Sequence, residues 1–161
     1  MDELTELESL AEKHRKSAEE LSKESDRMMN DHRALVKRVK TLSSRASNSA
    51  RMRDECSREA SDSEKEAESW RKRYSEREGK NALDLSNEKN QINMYSQSAK
   101  GMRIREKKAE SDRIKYERMV SDYNEKASLL KKKAAEMKRE SNREYELHLG
   151  CLRTISGLKK E

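Results

Sequence analysis

Three histidines and two cysteines are the side chains of this sequence that could bind a metal ion, transfer a proton or form a disulfide. No two of His14, His32 and His148 lie three or four residues apart, the spacing that lets one helix face hold a metal ion. Cys56 and Cys151 lie in different halves of the chain. The sequence has no His-Glu-x-x-His, no Cys-x-x-Cys and no glycine-rich phosphate loop. It therefore predicts no enzyme, metal site, cofactor or small-molecule substrate.

Basic side chains form the second group that could do chemistry. Residues 32–53 contain seven basic residues and no acid, and residues 100–139 contain fourteen basic and seven acidic residues. Such zones can bind the phosphates of a nucleic acid or pair with an acidic protein, and the sequence leaves both readings open. The candidate partner-binding residues are Arg33, Lys37, Arg38, Lys40, Arg45, Arg51, Arg53, Lys131, Lys132 and Lys133.

The composition limits the kind of fold that can position these residues. Charged residues make up 43% of the chain and apolar residues 31%, and there is no proline. This is too little apolar material for a round core, so the chain is either disordered or built from long helices. The spacing of the apolar residues decides between these two.

Apolar residues recur at alternating steps of three and four. From Leu4 to Tyr74 fifteen of twenty-one such positions are apolar or aromatic, and from Leu85 to Leu158 sixteen of twenty-two are, against 31% overall. This spacing predicts an all-α, extended coiled coil, and we call the two sets of positions the seam. All the histidines and cysteines lie on the seam, which favours core roles for them. The predicted core residues include Leu7, Leu35, Val39, Leu42, Trp70, Tyr116, Tyr123 and Leu130.

The two registers meet out of phase between Tyr74 and Leu85. One interpretation is a continuous helix that absorbs a four-residue stutter. The other is an antiparallel hairpin, in which a left-handed Gly79 ends the first helix and Asn81 caps the second. Either way the sequence predicts a single coiled-coil unit over 1–161, with arms 2–78 and 82–160 in the hairpin case.

Folding the sequence about residue 80 brings matching segments together. Leu4–Ala11 then meets Leu149–Ile155, and Met28–Ala46 meets Ile114–Leu130. The net charge of −5 in residues 1–31 would also meet the net charge of +5 in residues 130–160. An antiparallel dimer of straight helices gives the same pairing, and a parallel dimer always matches its own pattern. The sequence therefore leaves the rod, the hairpin and the strand orientation open.

The first twelve residues are acidic and lack the basic and apolar regions of a signal peptide. No uncharged run approaches the roughly 20 apolar residues of a membrane span. We expect an intracellular protein of the cytoplasm or nucleus that is not secreted.

The predicted function is that of a scaffold, spacer or assembly component, associating with itself, another coiled coil or an acidic protein. The alternatives are a nucleic-acid-binding coiled coil that uses 32–53 and 100–139, and the helical-hairpin stalk of an export or motor apparatus.

Overall fold

The computed structural model describes residues 2–80 and 84–160, which form two long helices. Helix α1 spans Glu3–Gly79 and helix α2 spans Ser86–Leu158. The helices pack against each other as an antiparallel hairpin. The all-α prediction and its hairpin alternative are confirmed, and the alternative of one continuous helix is wrong.

Helices of this length form because nothing in their sequences interrupts them. The chain has no proline, and its abundant alanine, glutamate, lysine and arginine all have high helix propensity. Glu3 and Glu6 lie in the first turn of α1 and Arg77 in its last, so their charges oppose those of the helix dipole.

The chain leaves α1 without the predicted glycine cap. Gly79 is the last helical residue and is not left-handed, so that prediction is wrong. The N–H of Lys80 lies 3.2 Å from both the Glu76 and Arg77 carbonyl oxygens, and this shared hydrogen bond closes the helix end. The predicted cap at Asn81 lies outside the described residues. The Asp84 carboxylate accepts hydrogen bonds from the Ser86 N–H, at 3.0 Å, and from the Ser86 hydroxyl, and so caps the start of α2.

The seam predicted from the spacing is the line of burial. Every residue that is buried in 2–80 and 84–160 lies on a seam position. Nine of these buried residues are alanines, and Ala60, Ala67 and Ala134 are at most 1% exposed. Alanine has no side chain beyond Cβ, so burial this complete indicates that the two backbones approach closely. Leu158, the last seam position, is exposed.

By their internal contacts the residues divide into two units. The first unit comprises Met1–Val39 and Ser121–Glu161, and the second comprises Lys40–Val120. Each unit contains one segment of each helix. Of the predicted core residues, Leu42 is buried in the second unit. The other seven are half-buried: Leu7, Leu35, Val39, Tyr123 and Leu130 in the first unit, Trp70 and Tyr116 in the second.

Candidate interaction surfaces

Polar seam residues of the first unit hydrogen-bond directly to the backbone of the opposite helix. The Ser25 hydroxyl donates to the Ala134 carbonyl oxygen at 2.8 Å, and the Ser141 hydroxyl donates to that of Ala18 at 2.7 Å. Both serines are buried. A carbonyl oxygen has two lone pairs, so it can accept this bond in addition to the one from its own helix. A serine hydroxyl is short, and it reaches the other backbone only because an alanine lies opposite.

Two histidines make the same kind of hydrogen bond to a carbonyl oxygen of the opposite helix, one heptad beyond each serine contact. His32 Nδ1 lies 2.8 Å from the Ala127 carbonyl oxygen, and His148 Nδ1 lies 2.8 Å from that of Ala11. A carbonyl oxygen can only accept, so Nδ1 carries the proton in both contacts. We call the four contacts the carbonyl ladder. It pairs Ala11 with His148, Ala18 with Ser141, Ser25 with Ala134 and His32 with Ala127.

The ladder is not among the predicted features, although its signal is present in the sequence. The ladder positions of α1, residues 11, 18, 25 and 32, read Ala, Ala, Ser, His. Those of α2, residues 127, 134, 141 and 148, read Ala, Ala, Ser, His as well. Because the helices run in opposite directions, each small residue meets a polar one. The same heptad-spaced quartet in both arms would have indicated this register.

The remaining histidine forms a side-chain pair. His14 Nδ1 lies 2.5 Å from the Glu144 carboxylate, so two half-buried polar residues satisfy each other across the seam. All three histidines therefore contact the opposite helix in the first unit. Within residues 2–80 and 84–160 no cluster of three histidine, cysteine or acidic side chains could hold a metal ion. Cys56 is buried in the second unit, Cys151 is half-buried in the first, and both are free thiols.

The predicted basic residues of the first unit are exposed. The Arg33 guanidinium donates to the Asn30 side chain at 3.2 Å, and that of Arg38 lies 5.3 Å from the centre of the Tyr123 ring. Lys126 approaches the same ring at 5.6 Å, which makes Tyr123 a contact for two cations. In the described part of the chain, Arg33, Arg38 and residues 131–133 form no ion pair. Lys37, the other candidate in this unit, is also exposed.

The predicted basic residues of the second unit differ from one another in exposure and in pairing. Lys40, Arg45 and Arg51 are exposed, and Arg51 donates to the Asn48 side chain at 3.2 Å. Arg53 is half-buried and pairs with Glu110 at 2.7 Å and with Asp54 at 3.0 Å. Glu110 also accepts from Arg113, and the hydrogen bonds from Arg113 and Arg53 lower the pKa of Glu110 to about 2. Arg53 thus serves the packing of the two helices.

A network around Arg103 crosses between the helices of the second unit. Its guanidinium contacts the Glu64 carboxylate at 3.0 Å and the Glu106 carboxylate at 2.8 Å. The network borders a groove of about 400 Å³ that forms where Ala67 and Ala99 leave space along the seam. Two of the cations that line the groove are already paired, Arg103 with Glu64 and Arg71 with Glu68. Near the turn, Arg77 binds Glu88, whose carboxylate is buried although one of its oxygens has no partner.

None of the helices in the described residues carries an apolar stretch that could cross a bilayer. Comparison of the chain with protein-family models, with curated proteins and with solved structures finds no match. The contacts described above are therefore the evidence about function.

Proposed function

We propose that the chain is a non-enzymatic structural protein, a scaffold, spacer or assembly component that acts through helix–helix association. The carbonyl ladder is the observation that carries the proposal. The two serines and two histidines of the ladder belong to residue types that elsewhere serve as nucleophiles and bases, and here they donate hydrogen bonds to a backbone carbonyl of the opposite helix. Side chains used in this way hold two helices in register. A stalk in an export or motor apparatus is one form that such a scaffold takes.

The arrangement of charge supports the same proposal. Ion pairs that join the two helices, such as Arg53 with Glu110 and Lys159 with Glu8, use only a few of the charged residues in 2–80 and 84–160. The remaining charges cover the outer surface, where they can choose and orient a helical partner. We also propose an intracellular location, because two free thiols fit a reducing compartment.

Sedimentation of the protein from gently lysed cells of its source tests this function. An assembly component should migrate in a complex much larger than the 18.9 kDa chain, and nuclease treatment should leave that complex intact. Migration of the chain at its own size, alone or as a small oligomer, would argue against an assembly role.

A nucleic-acid-binding coiled coil is the second candidate. It is favoured by the exposed cations of the first unit, several of which have no acidic partner among the described residues. If the seven basic residues of 32–53 neutralise about five or six phosphates, a tenfold rise in salt should weaken binding by about four to five decades.

A gel-shift assay with mixed-sequence DNA and RNA at two salt concentrations separates the two candidates. We expect no tight retention near 150 mM salt, a typical physiological ionic strength. Submicromolar retention at that salt concentration would instead favour the nucleic-acid function. Loss of that retention in the Arg33→Gln, Lys37→Gln, Arg38→Gln and Lys40→Gln variant would assign it to this zone.

A further inference from the structure

Helix α2 of the first unit carries a second stripe beside the seam. Its positions recur at alternating steps of four and three, as the seam positions do, and none of them is acidic. Tyr145 and Leu152 on this stripe are 51% and 43% exposed, so α1 does not cover them. The stripe, which we call the basic–apolar stripe, consists of Lys131, Ala135, Lys138, Asn142, Tyr145, Leu149, Leu152, Ser156 and Lys159.

An acidic stripe on α1 lies next to it. The Lys138 ammonium donates to the Ser22 hydroxyl at 3.3 Å, and Lys159 pairs with Glu8 at 3.1 Å, so both stripes border one side of the helix pair. The acidic stripe consists of Thr5, Glu8, Glu12, Arg15, Glu19, Ser22 and Asp26, and it carries four acids against one base. This side of the first unit therefore has one acidic half and one basic, partly apolar half.

The charge pattern selects the kind of partner that fits this side. A polyanion, whether nucleic acid or an anionic lipid surface, would be attracted to the α2 half and repelled by the α1 half. A fitting partner carries both signs side by side, in the opposite order. A second copy rotated about a two-fold axis parallel to the helices presents that order, because its α1 then faces α2 and its α2 faces α1.

We propose that this side of the first unit is the interface with a second copy of the chain, forming an antiparallel four-helix bundle. The acidic stripe of each copy faces the basic–apolar stripe of the other. Tyr145 and Leu152 become buried in the interface, and the charged residues form its rim. Each helix then has only antiparallel neighbours, which is favourable for the helix dipoles. The inference rests on the proposed function, since it identifies one helix–helix association that the scaffold makes.

Sedimentation equilibrium of the full chain between about 1 and 100 μM tests the interface, because dimerisation follows mass action. We expect a monomer–dimer equilibrium in this range. Leu152→Glu should weaken it about a hundredfold, since the two-fold axis repeats the substitution and each copy costs about tenfold. Leu129→Glu is the matched control: Leu129 is 53% exposed on the same helix but lies outside the stripe. A chain that stays monomeric, or equal weakening by both variants, would overturn the proposal.

A charge exchange tests the orientation of the two copies. Glu12→Lys with Glu19→Lys makes both stripes basic, and Lys131→Glu with Lys138→Glu leaves only Lys159 as a base on the α2 stripe. Each doubly substituted chain should dimerise poorly by itself, and an equal mixture of the two should recover the dimer. Circular dichroism must show unchanged helix content in both. Failure of the mixture to recover the dimer would refute the two-fold arrangement.

The two proposals can fail separately. If the purified chain is monomeric while the cellular protein remains in a large nuclease-resistant complex, the assembly role stands and the interface proposal fails. If the purified chain dimerises as described but no larger complex exists in cells, the interface stands and the scaffold role fails.

Discussion

Replacing Ser25 by leucine tests the close approach of the helices. On a coiled-coil seam with ordinary spacing, a buried leucine in place of a serine would stabilise the protein by about 1.5–3 kcal/mol. Here Ser25 is 5% exposed, and the Ala134 residue opposite it is 1% exposed. The Ser25 hydroxyl also lies 2.8 Å from the Ala134 carbonyl oxygen. A branched side chain at this position must therefore push the two backbones apart.

The expected magnitude follows from two costs. Overpacking a well-filled core costs about 1–3 kcal/mol. Loss of the Ser25 hydrogen bond adds about 1 kcal/mol. Ser25→Leu should therefore destabilise the chain by about 2–4 kcal/mol, opposite in sign to the expectation for an ordinary seam. Ser25→Ala should cost only about 0.5 kcal/mol, because the higher helix propensity of alanine offsets part of the lost hydrogen bond.

Urea unfolding followed by circular dichroism at 222 nm measures both changes as shifts of the midpoint. Ser9→Leu is the control, because Ser9 is exposed on the outer face of α1 in the same unit. Its effect should stay within about 0.5 kcal/mol. If Ser25→Leu raises the midpoint, the helices are farther apart than the ladder contacts require, and the reasoning is refuted.

Two further predictions concern the second unit. Trp70→Ala should destabilise the chain by about 2 kcal/mol, which is below the usual range for a buried aromatic residue. The smaller cost is expected because Trp70 is half-buried and its ring lies 4.5 Å from the Arg73 guanidinium. A melting temperature that does not change would exclude any packing role for Trp70. Glu110 has its pKa lowered from 4.5 to about 2 by hydrogen bonds from Arg113 and Arg53, so the stability it contributes is present above pH 4.5 and is lost as the pH falls towards 2. Between pH 5 and 2.5 the urea midpoint of Glu110→Gln should therefore fall less than that of the unsubstituted chain, and an identical fall would show that neither guanidinium holds the Glu110 carboxylate in solution.

The sequence by itself determined which residues are buried. Alternating steps of three and four are a local property of one chain, and they identify the inner face of a helix whatever packs against it. This is why buried residues as different as Ala60, Cys56 and Ser141 all lie on the predicted seam. The matching segments of the two arms were also present in the sequence, since an apolar-rich segment needs an apolar-rich partner.

The tertiary structure decided which helix packs against the seam of each arm. A single helix face is satisfied equally well by the other arm of its own chain or by another copy, so the spacing could not choose between hairpin and rod. The antiparallel packing of α1 against α2 makes that choice, and the residues that could have indicated it, Gly79 and Asn81, fitted either alternative. The sequence also named Arg53 as a candidate partner-binding residue, but Arg53 lies opposite Glu110 and packs against it. Only the register of the two helices brings such partners together.

The carbonyl ladder also depends partly on the sequence and partly on the tertiary structure. The positions of Ser25 and His32 on the seam follow from sequence spacing, and without a partner they read as weak points in an apolar stripe. Their hydrogen bonds depend on alanines more than ninety residues away in the chain, which allow the two backbones to come within reach of a short side chain. A contact across the seam depends on the distance between the helix axes. That distance is set by the pair of residues that meet, and neither helix encodes it alone.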